Sequence, residues 1–221
     1  MDKPYRMSSF GALARVRYLI SMKAGVKRVK TGHAGTLDPL ATGVLILCTG
    51  KKTKEIESLQ LHEKEYIATL QLGATTASFD MEHDVDKTYP TAHISEELIR
   101  KTIGGFVGDI MQVPPAYSAC KIGGDRAYKL KRSGQDVQLV AKPVHIEEIE
   151  LTDFNPVTMR MSIRVVCGKG TYIRSLARDI GKALGSGAYL TALCRTRVGN
   201  VRLEDCIKMD DIPDWLEKIE N

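Results

Sequence analysis

One carboxylate, Asp38, lies in a segment whose composition favours a rigid loop. Gly35, three residues earlier, can adopt backbone angles that other residues resist. Pro39 follows Asp38, holds it towards extended geometry and removes a backbone donor. A carboxylate held in this way could serve as a nucleophile or a general base. The same residue types are also typical of a solvated turn, so the pattern alone leaves both interpretations open.

The segment 33–45, which contains Asp38, closely resembles the catalytic motif of the TruB family of tRNA pseudouridine synthases. Four further segments are similar to motifs of the same family and follow in the family's order. They are residues 64–73, 113–128, 167–177 and 187–199. Because these motifs together cover most of the chain, it is identified from its sequence as a member of that family.

The resemblance implies an isomerase that converts uridine 55, in the T-loop of the TΨC arm of tRNA, into pseudouridine, with Asp38 as the catalytic nucleophile. This reaction breaks the glycosidic bond, rotates the base and rejoins it to the sugar through carbon. Because it needs neither a redox change nor a group donor, we expect no cofactor and no metal ion. Whether Asp38 attacks the sugar or the base is left open by the sequence.

The resemblance places two more residues in catalysis. Arg174 matches the family's ion-pairing arginine and would keep Asp38 ionised when a bound base displaces its water. Tyr66 matches the active-site tyrosine and would stack on the target base, an interaction worth roughly 1–3 kcal/mol. By residue type alone, Arg174 suits a helix surface and Tyr66 suits the core of a sheet.

Three residues match substrate-binding positions of the family, namely His33, Tyr172 and Leu193. The resemblance implies that His33 touches the RNA near the target base and that Tyr172 and Leu193 line the pocket. A loop histidine often has no special role, and a helical tyrosine or a strand leucine more often belongs to the core, so these three assignments depend on the resemblance. A uridine inside a folded tRNA arm would have to be extruded into such a pocket.

Charge and composition agree with an RNA partner without requiring one. The chain has 221 residues, of which 43% are hydrophobic, and a formal net charge of +5. Two basic clusters either bind phosphates or form ordinary solvated faces: Lys51, Lys52 and Lys54 in one, and Arg126, Lys129, Lys131 and Arg132 in the other.

The cysteine pattern indicates a reducing compartment. Five cysteines are scattered along the chain without a Cys-x-x-Cys pair, which argues against a zinc site and a disulfide framework. Reduced thiols in the cytoplasm are the simplest interpretation. We expect no membrane association, because no apolar run is long enough to cross a bilayer and residues 1–6 lack the apolar core of a signal peptide.

Periodicity predicts elements that would position these residues. Helices are expected over 8–20, 53–59, 95–103, 125–132, 171–184 and 212–219, and strands over 43–48, 66–72, 144–151, 159–167 and within 189–201, with a long loop at 74–90. Because strands and helices mix without a βαβ rhythm, an α+β fold is favoured. The resemblance implies the pseudouridine synthase fold, a central mixed and mostly antiparallel sheet with flanking helices and a catalytic cleft.

Domain organisation and rival functions follow from the same resemblance. Residues 1–205 are expected to form the catalytic domain, and 206–221 a short tail with a helix, too short for the C-terminal PUA domain of many relatives. We expect a monomer that binds the T-arm of tRNA without an obligate protein partner. Two alternatives are a guide-RNA-dependent pseudouridine synthase subunit and a tRNA-folding chaperone that binds the T-arm, either without catalysis or beside it.

Overall fold

The computed structural model describes residues 1–118, 120–122, 125–126 and 139–219. Within these ranges the α-helices are α1 (Ser9–Lys23), α2 (Ile56–Leu61), α3 (Glu96–Gly104), α4 (Ile173–Ala183) and α5 (Ile212–Glu217), with 3-10 turns at Gly50–Glu55, Leu203–Asp205 and Met209–Asp211. The strands are β1 (Asp2–Lys3), β2 (Thr31–His33), β3 (Ala41–Val44), β4 (Leu47–Thr49), β5 (Lys64–Leu72), β6 (Ala74–Thr76), β7 (Val85–Thr88), β8 (Gly108–Gln112), β9 (Lys121–Ile122), β10 (Asp125–Arg126), β11 (Lys142–Asn155), β12 (Arg160–Cys167), β13 (Ala188–Val198) and β14 (Val201–Arg202).

The chain divides into two compact units, and the division falls within β5 and β13. The first unit contains Met1–Tyr66 and Leu193–Asn221. In it, β3 pairs antiparallel with β1 and parallel with β13, which turns back into β14, while β2 and β4 form a separate antiparallel ribbon. Its core joins α1 to the C-terminal residues through the buried side chains of Ala12, Val16, Leu45, Met209, Ile212 and Leu216.

The second unit contains Ile67–Ala192. In it, β11 lies between β12 and β8 and is antiparallel to both, and β12 neighbours β5. Helix α3 packs against β11 and α4, and buries Ile99 and Ile103. Most of the described strand pairs are antiparallel, β3 and β13 are parallel, and helices flank the strands, which confirms the predicted α+β class.

Most predicted helices and strands are confirmed, and two capping patterns are correct in atomic detail. The Ser8 hydroxyl accepts from the Gly11 amide at the start of α1, and the Ser95 hydroxyl accepts from the Leu98 amide at the start of α3. The elements expected over 53–59, 66–72, 144–151, 159–167, 171–184, 189–201 and 212–219 are present with shifted ends.

The single strand predicted over 43–48 is wrong. The apolar run is divided into β3 and β4, which pair with different partners, and Leu45 and Ile46 lie between them. The Leu45 amide donates to the Met1 carbonyl, and the Ile46 carbonyl accepts from the Ala34 amide. An apolar run indicates that a segment is buried but does not indicate which strands it pairs with. The division into two strands was therefore not predictable from the local sequence.

Two further expectations need correction. The predicted loop 74–90 contains the antiparallel pair β6 and β7, and every residue of β7 is exposed, so no alternation marked it. Asp125–Arg126 is a strand rather than the start of a helix. The rest of that predicted helix, with Ala127, Tyr128, Lys129, Lys131 and Arg132, lies outside the described residues.

The predicted boundary between a domain 1–205 and a tail 206–221 stays a prediction. Met209, Ile212 and Leu216 all lie beyond this boundary and are buried against α1 in the first unit. Among the described residues, none of the helices combines the length and apolar character needed to cross a bilayer.

Candidate active site

The loop that carries Asp38 is attached to the first turn of α1 by Ser9. The Ser9 hydroxyl donates to the Leu37 carbonyl at 2.9 Å, and it accepts from the Leu37 amide at 2.8 Å. Ser9 is 2% exposed and Leu37 is 3% exposed. Because both bonds are buried, the backbone directly before Asp38 is held in one position, while Asp38 itself is only partly buried.

A fully buried lysine supports the other side of the same loop. The Lys3 ammonium donates to the carbonyls of Met7 at 2.5 Å, Pro4 at 2.9 Å and Pro39 at 3.4 Å. Burial lowers the pKa of Lys3 to about 8, although the negative charge of Asp38 opposes that shift. At neutral pH the ammonium is therefore mostly protonated and places a positive charge beside Asp38.

Arg195, on β13, connects the sheet to the start of the motif. Its side chain is buried, with Nε donating to the Val44 carbonyl at 2.8 Å and Nη2 donating to the Gly35 carbonyl at 3.2 Å. The planar guanidinium holds these two donors at a fixed separation, which a single ammonium group does not reproduce. Gly35 and Val44, on either side of Asp38 in the sequence, are therefore held by one side chain.

Gly43 allows β3 to approach β13 closely. It has a φ of +101°, and a Cβ added there would lie 2.2 Å from the Arg195 carbonyl oxygen. Only glycine fits both conditions, because the left-handed backbone and the contact each exclude a side chain. The glycine of the motif thus serves the strand pairing that positions Arg195.

Leu193 and His33 lie on elements adjoining this loop. Leu193 pairs with Ala41 across β13 and β3, and the Ala41 amide donates to the Asp38 carbonyl at 3.1 Å. His33 is the last residue of β2, where it pairs with Leu47, and the loop begins with the next residue. Leu193 is therefore linked to the Asp38 loop through its pairing with Ala41, and His33 directly precedes that loop.

Tyr66 lies near the start of β5 and is 8% exposed. It alternates with partly buried neighbours and shares the buried face of the strand with Lys64 and Ala68. A buried position fits a tyrosine that stacks on a base and equally a tyrosine that packs in the core. The stacking of Tyr66 on the target base therefore stays a prediction.

Arg174 lies in the first turn of α4, in the second unit, with its side chain 4% exposed. Its Nη1 donates to the Ser78 carbonyl at 3.1 Å, and its Nη2 donates to the Tyr117 carbonyl at 2.9 Å. This burial excludes an ordinary helix-surface arginine. The ion pair expected between Arg174 and Asp38 joins residues of different units and stays a prediction.

Asp80 is a buried carboxylate to which the sequence analysis assigns no role. Its Oδ2 lies 3.7 Å from Arg174 Nε, and its Oδ1 accepts from the Ser78 hydroxyl at 2.5 Å and the Glu82 amide at 2.9 Å. An acidic residue in a polar loop gave no sign of burial. A buried arginine usually needs a carboxylate partner, so a search for the partner of Arg174 could have identified Asp80.

Tyr172 lies directly before α4, where it occupies the cap position without a side-chain capping bond. The Gln112 side chain replaces that cap by accepting from the Tyr172 amide at 2.8 Å, and the Val113 carbonyl accepts from the Ser175 hydroxyl at 2.8 Å. These bonds fix the first turn of α4 and therefore the backbone of both Tyr172 and Arg174.

In the described part of the chain, His, Cys, Asp and Glu side chains form no group of three or more that could hold a metal ion. None of the five cysteines, all of which are among the described residues, forms a disulfide bond. Among the described residues, Asp38 lies near Lys3 in the first unit, and Arg174 lies near Asp80 in the second.

Two family models match the chain and together extend from residue 22 to its end. The model described as the N-terminal domain of the TruB family of pseudouridylate synthases matches residues 22–173. The model described as the C-terminal domain of tRNA pseudouridylate synthase B matches residues 174–221.

Similar proteins named tRNA pseudouridine synthase B occur in several bacteria. The protein of Phocaeicola vulgatus is 60% identical over 219 residues, which cover 99% of this chain and 92% of that protein. The protein of Flavobacterium johnsoniae is 48% identical over 94% of this chain and 90% of its own length. The protein of Mycobacterium avium is 43% identical over 96% of this chain and 67% of its own.

Solved structures with the same fold belong to larger chains. A Cbf5-Nop10-Gar1 complex contains a chain that matches with a TM-score of 0.69 and 28% identity, and the match covers 97% of this chain and 52% of that one. An H/ACA RNP bound to a substrate RNA containing 2'-deoxyuridine gives a TM-score of 0.67, 27% identity and coverages of 97% and 51%. This chain thus spans about half the length of those proteins.

Proposed function

This chain belongs to the TruB family of pseudouridylate synthases, and we propose that it isomerises uridine 55 in the T-loop of tRNA to pseudouridine with Asp38 as the nucleophile. The relatives named tRNA pseudouridine synthase B align with nearly the whole chain, which supports tRNA as the substrate.

The anchoring of the Asp38 loop is the observation that carries the proposal. Ser9, Lys3 and Arg195 are all buried and bind the backbone on both sides of Asp38, which is itself partly exposed. Covalent catalysis gains most when the nucleophile is held in a fixed position near the reacting bond. A solvated turn would not need three buried polar side chains, whose burial is costly unless each is hydrogen-bonded.

The remaining site residues have supporting roles in this proposal. Arg174, fixed by two backbone carbonyls and Asp80, supplies the positive charge that keeps Asp38 ionised when the base enters. Tyr66 stacks on the extruded uracil, Tyr172 and Leu193 line its pocket, and His33 contacts the RNA beside it. Arg174 and Tyr66 are catalytic, because both act on the reacting groups.

The RNA is recognised by shape and by extrusion of one nucleotide. A uridine stacked within the T-arm is not accessible to Asp38, so part of the binding free energy must offset the cost of extruding it from the stack. Contacts to the 2'-hydroxyls and phosphates of the stem set the register. We propose that the enzyme acts in the cytoplasm, because tRNA is found there and the reducing conditions keep its cysteines as thiols. We also propose that it acts as a monomer without an obligate protein partner.

A guide-RNA-dependent subunit is the second candidate. The structural similarity to chains from a Cbf5-Nop10-Gar1 complex and an H/ACA RNP favours it. The much higher identity to tRNA pseudouridine synthase B proteins over nearly their full length favours the stand-alone enzyme.

Release of tritium from a tRNA transcript labelled at C5 of uridine separates these candidates. The full chain should release one equivalent of tritium per tRNA with a chelator and with no guide RNA, protein partner or cofactor. A transcript in which cytidine replaces uridine 55 should release none. Lack of release from folded protein would overturn the proposal, and release that required a guide RNA would support the second candidate.

A further inference from the structure

Two basic segments that are distant in sequence lie side by side in the first unit. One is residues 27–30, which contain Lys27, Arg28 and Lys30, and the other is the turn Gly50–Glu55, which contains Lys51, Lys52 and Lys54. Antiparallel pairing of β2 with β4 sets Thr31 opposite Thr49, so the two segments extend from the same end of this ribbon. The Gly50 amide donates to the Lys30 carbonyl at 2.8 Å and joins them directly.

All six basic residues are exposed, and the balance of charge among them is one-sided. Glu55, the one carboxylate in the two segments, binds Lys52 at 2.6 Å. The other five cations give these short segments as much positive charge as the formal net charge of +5 of the whole chain. Such concentration in one place exceeds what an ordinary mixed-charge surface needs for solubility.

The backbone that carries these cations is fixed. The Ser21 hydroxyl, on α1, accepts from the Val29 amide at 3.0 Å, and the Ser21 carbonyl accepts from the Val26 amide at 3.1 Å. The Thr53 hydroxyl donates to the Gly50 carbonyl at 2.8 Å and closes the second segment. The cations are therefore presented from a supported surface, so less backbone freedom is lost when a ligand binds.

The position of this surface relates it to Asp38. Strand β2 runs from Thr31 to His33, and the loop with Asp38 follows. The eight residue steps from Lys30 to Asp38 span at most about 29 Å even when fully extended. A polyanion whose target group reaches Asp38 can thus lay neighbouring phosphates on the basic segments.

We infer that residues 27–30 and 51–54 form one phosphate-binding face, which holds the RNA backbone flanking the target uridine. This inference rests on the proposed function, because RNA is the polyanion that the enzyme must hold. Lysine predominates in the face, and it binds phosphate as a point charge without demanding a particular base. The face therefore contributes affinity and register and leaves sequence selection to the pocket.

Two charge-removing variants test this inference by their affinity for unmodified tRNA transcript over a range of salt concentrations. The first is Lys27→Gln/Arg28→Gln/Lys30→Gln, and the second is Lys51→Gln/Lys54→Gln. For the first, the Kd should rise about tenfold or more, and the slope of log K against log salt should become shallower by about 2, since each lost phosphate contact removes roughly 0.7–0.9. The second should lower affinity and slope in the same direction, and both losses should appear mainly in KM.

A control with the same loss of charge is Lys101→Gln/Arg160→Gln/Lys218→Gln, at exposed positions outside the face. It should bind tRNA within about twofold of wild type, because affinity depends on where cations contact phosphate. Equal weakening by this control, or unchanged binding by either variant of the face, would overturn the inference. Wild-type protein that binds tRNA but releases no tritium would instead contradict the proposed function, so the two failures are distinguishable.

Discussion

Ser9 and Leu37 exchange two buried hydrogen bonds, one in each direction, at 2.9 and 2.8 Å. One small hydroxyl thereby satisfies both backbone groups of the residue before Asp38. These bonds join the first turn of α1 to the loop that carries Asp38, and they hold the backbone of Leu37 rather than its side chain.

Ser9→Ala should reduce both stability and turnover. The substitution leaves the buried amide and carbonyl of Leu37 without their partner, which should cost about 2 kcal/mol of unfolding free energy. Loosening the loop by a fraction of an ångström should lower kcat about tenfold or more. Urea denaturation and single-turnover tritium release measure the two effects.

The neighbouring serine provides the control. Ser8 caps α1 through the Gly11 amide, so Ser8→Ala should cost about 1 kcal/mol of stability. Because its hydroxyl makes no contact with Leu37, kcat should stay within about twofold of wild type. Equal kcat values for the two variants would refute the positioning role of Ser9.

Lys3 should make stability depend on pH. Its pKa is lowered from 10.5 to about 8, so between these values the folded chain binds one proton fewer than the unfolded chain. The free energy of unfolding should therefore rise with pH in that window, by up to about 1.4 kcal/mol per pH unit from this group. Below pH 8 both states are protonated, and this contribution is flat.

Lys3→Met isolates this effect, because it removes the titrating group and keeps an unbranched side chain that is one atom shorter. The difference in unfolding free energy between wild type and Lys3→Met should grow from pH 8 to 10. A difference that stayed constant over this range would show that the buried ammonium has its ordinary pKa.

Gly43→Ala should destabilise the fold strongly, although it adds only one methyl group. The new Cβ would meet the Arg195 carbonyl at 2.2 Å, so β3 and β13 would have to separate, at an expected cost above about 3 kcal/mol. Gly170→Ala is matched for backbone strain, since Gly170 has a φ of +90° with nothing within 4 Å of the added Cβ. It should lose only roughly 1–2 kcal/mol. Thermal unfolding that ranked the two variants alike would contradict the proposed close approach.

Asp80→Asn should weaken catalysis through Arg174. The neutral amide no longer balances the buried guanidinium, so the orientation of Arg174 should become less defined, and kcat should fall about tenfold or more. Asp86→Asn, at an exposed position in β7, should leave kcat near wild type. Binding of tRNA should be retained in both, as measured by titration, and an unchanged kcat for Asp80→Asn would argue against this positioning role.

The sequence predicted the parts of this molecule that local patterns encode. Capped helices such as α1 and α3 were recognised because Ser8 and Ser95 stand directly before helical periodicity. The prediction of Asp38 as the nucleophile came from the resemblance of its motif, because its turn-forming neighbours alone are also typical of a solvated turn. The apolar alternation of β5 likewise placed Tyr66 on a strand.

Long-range contacts were not predictable, because single residues do not indicate their distant partners. Lys3 and Arg195 have the sequence character of surface cations, yet both are buried and bind carbonyls of the Asp38 loop. Asp80 lay in a segment interpreted as a polar loop, and it became visible only beside Arg174. The division of 43–48 into β3 and β4 likewise depends on β1, β2 and β13, which the local sequence does not identify.

Tritium release by Asp38→Asn tests the central claim most directly. Asparagine keeps the size of the side chain and its place in the anchored loop but removes the charge and the nucleophilic oxygen. We expect no detectable release from tRNA labelled at C5 of uridine, while the Kd for tRNA stays within about threefold of wild type, since binding depends mainly on phosphate contacts. Release at a rate near that of wild type, from a preparation verified by mass spectrometry to lack deamidated protein, would contradict the assignment of Asp38 as the nucleophile.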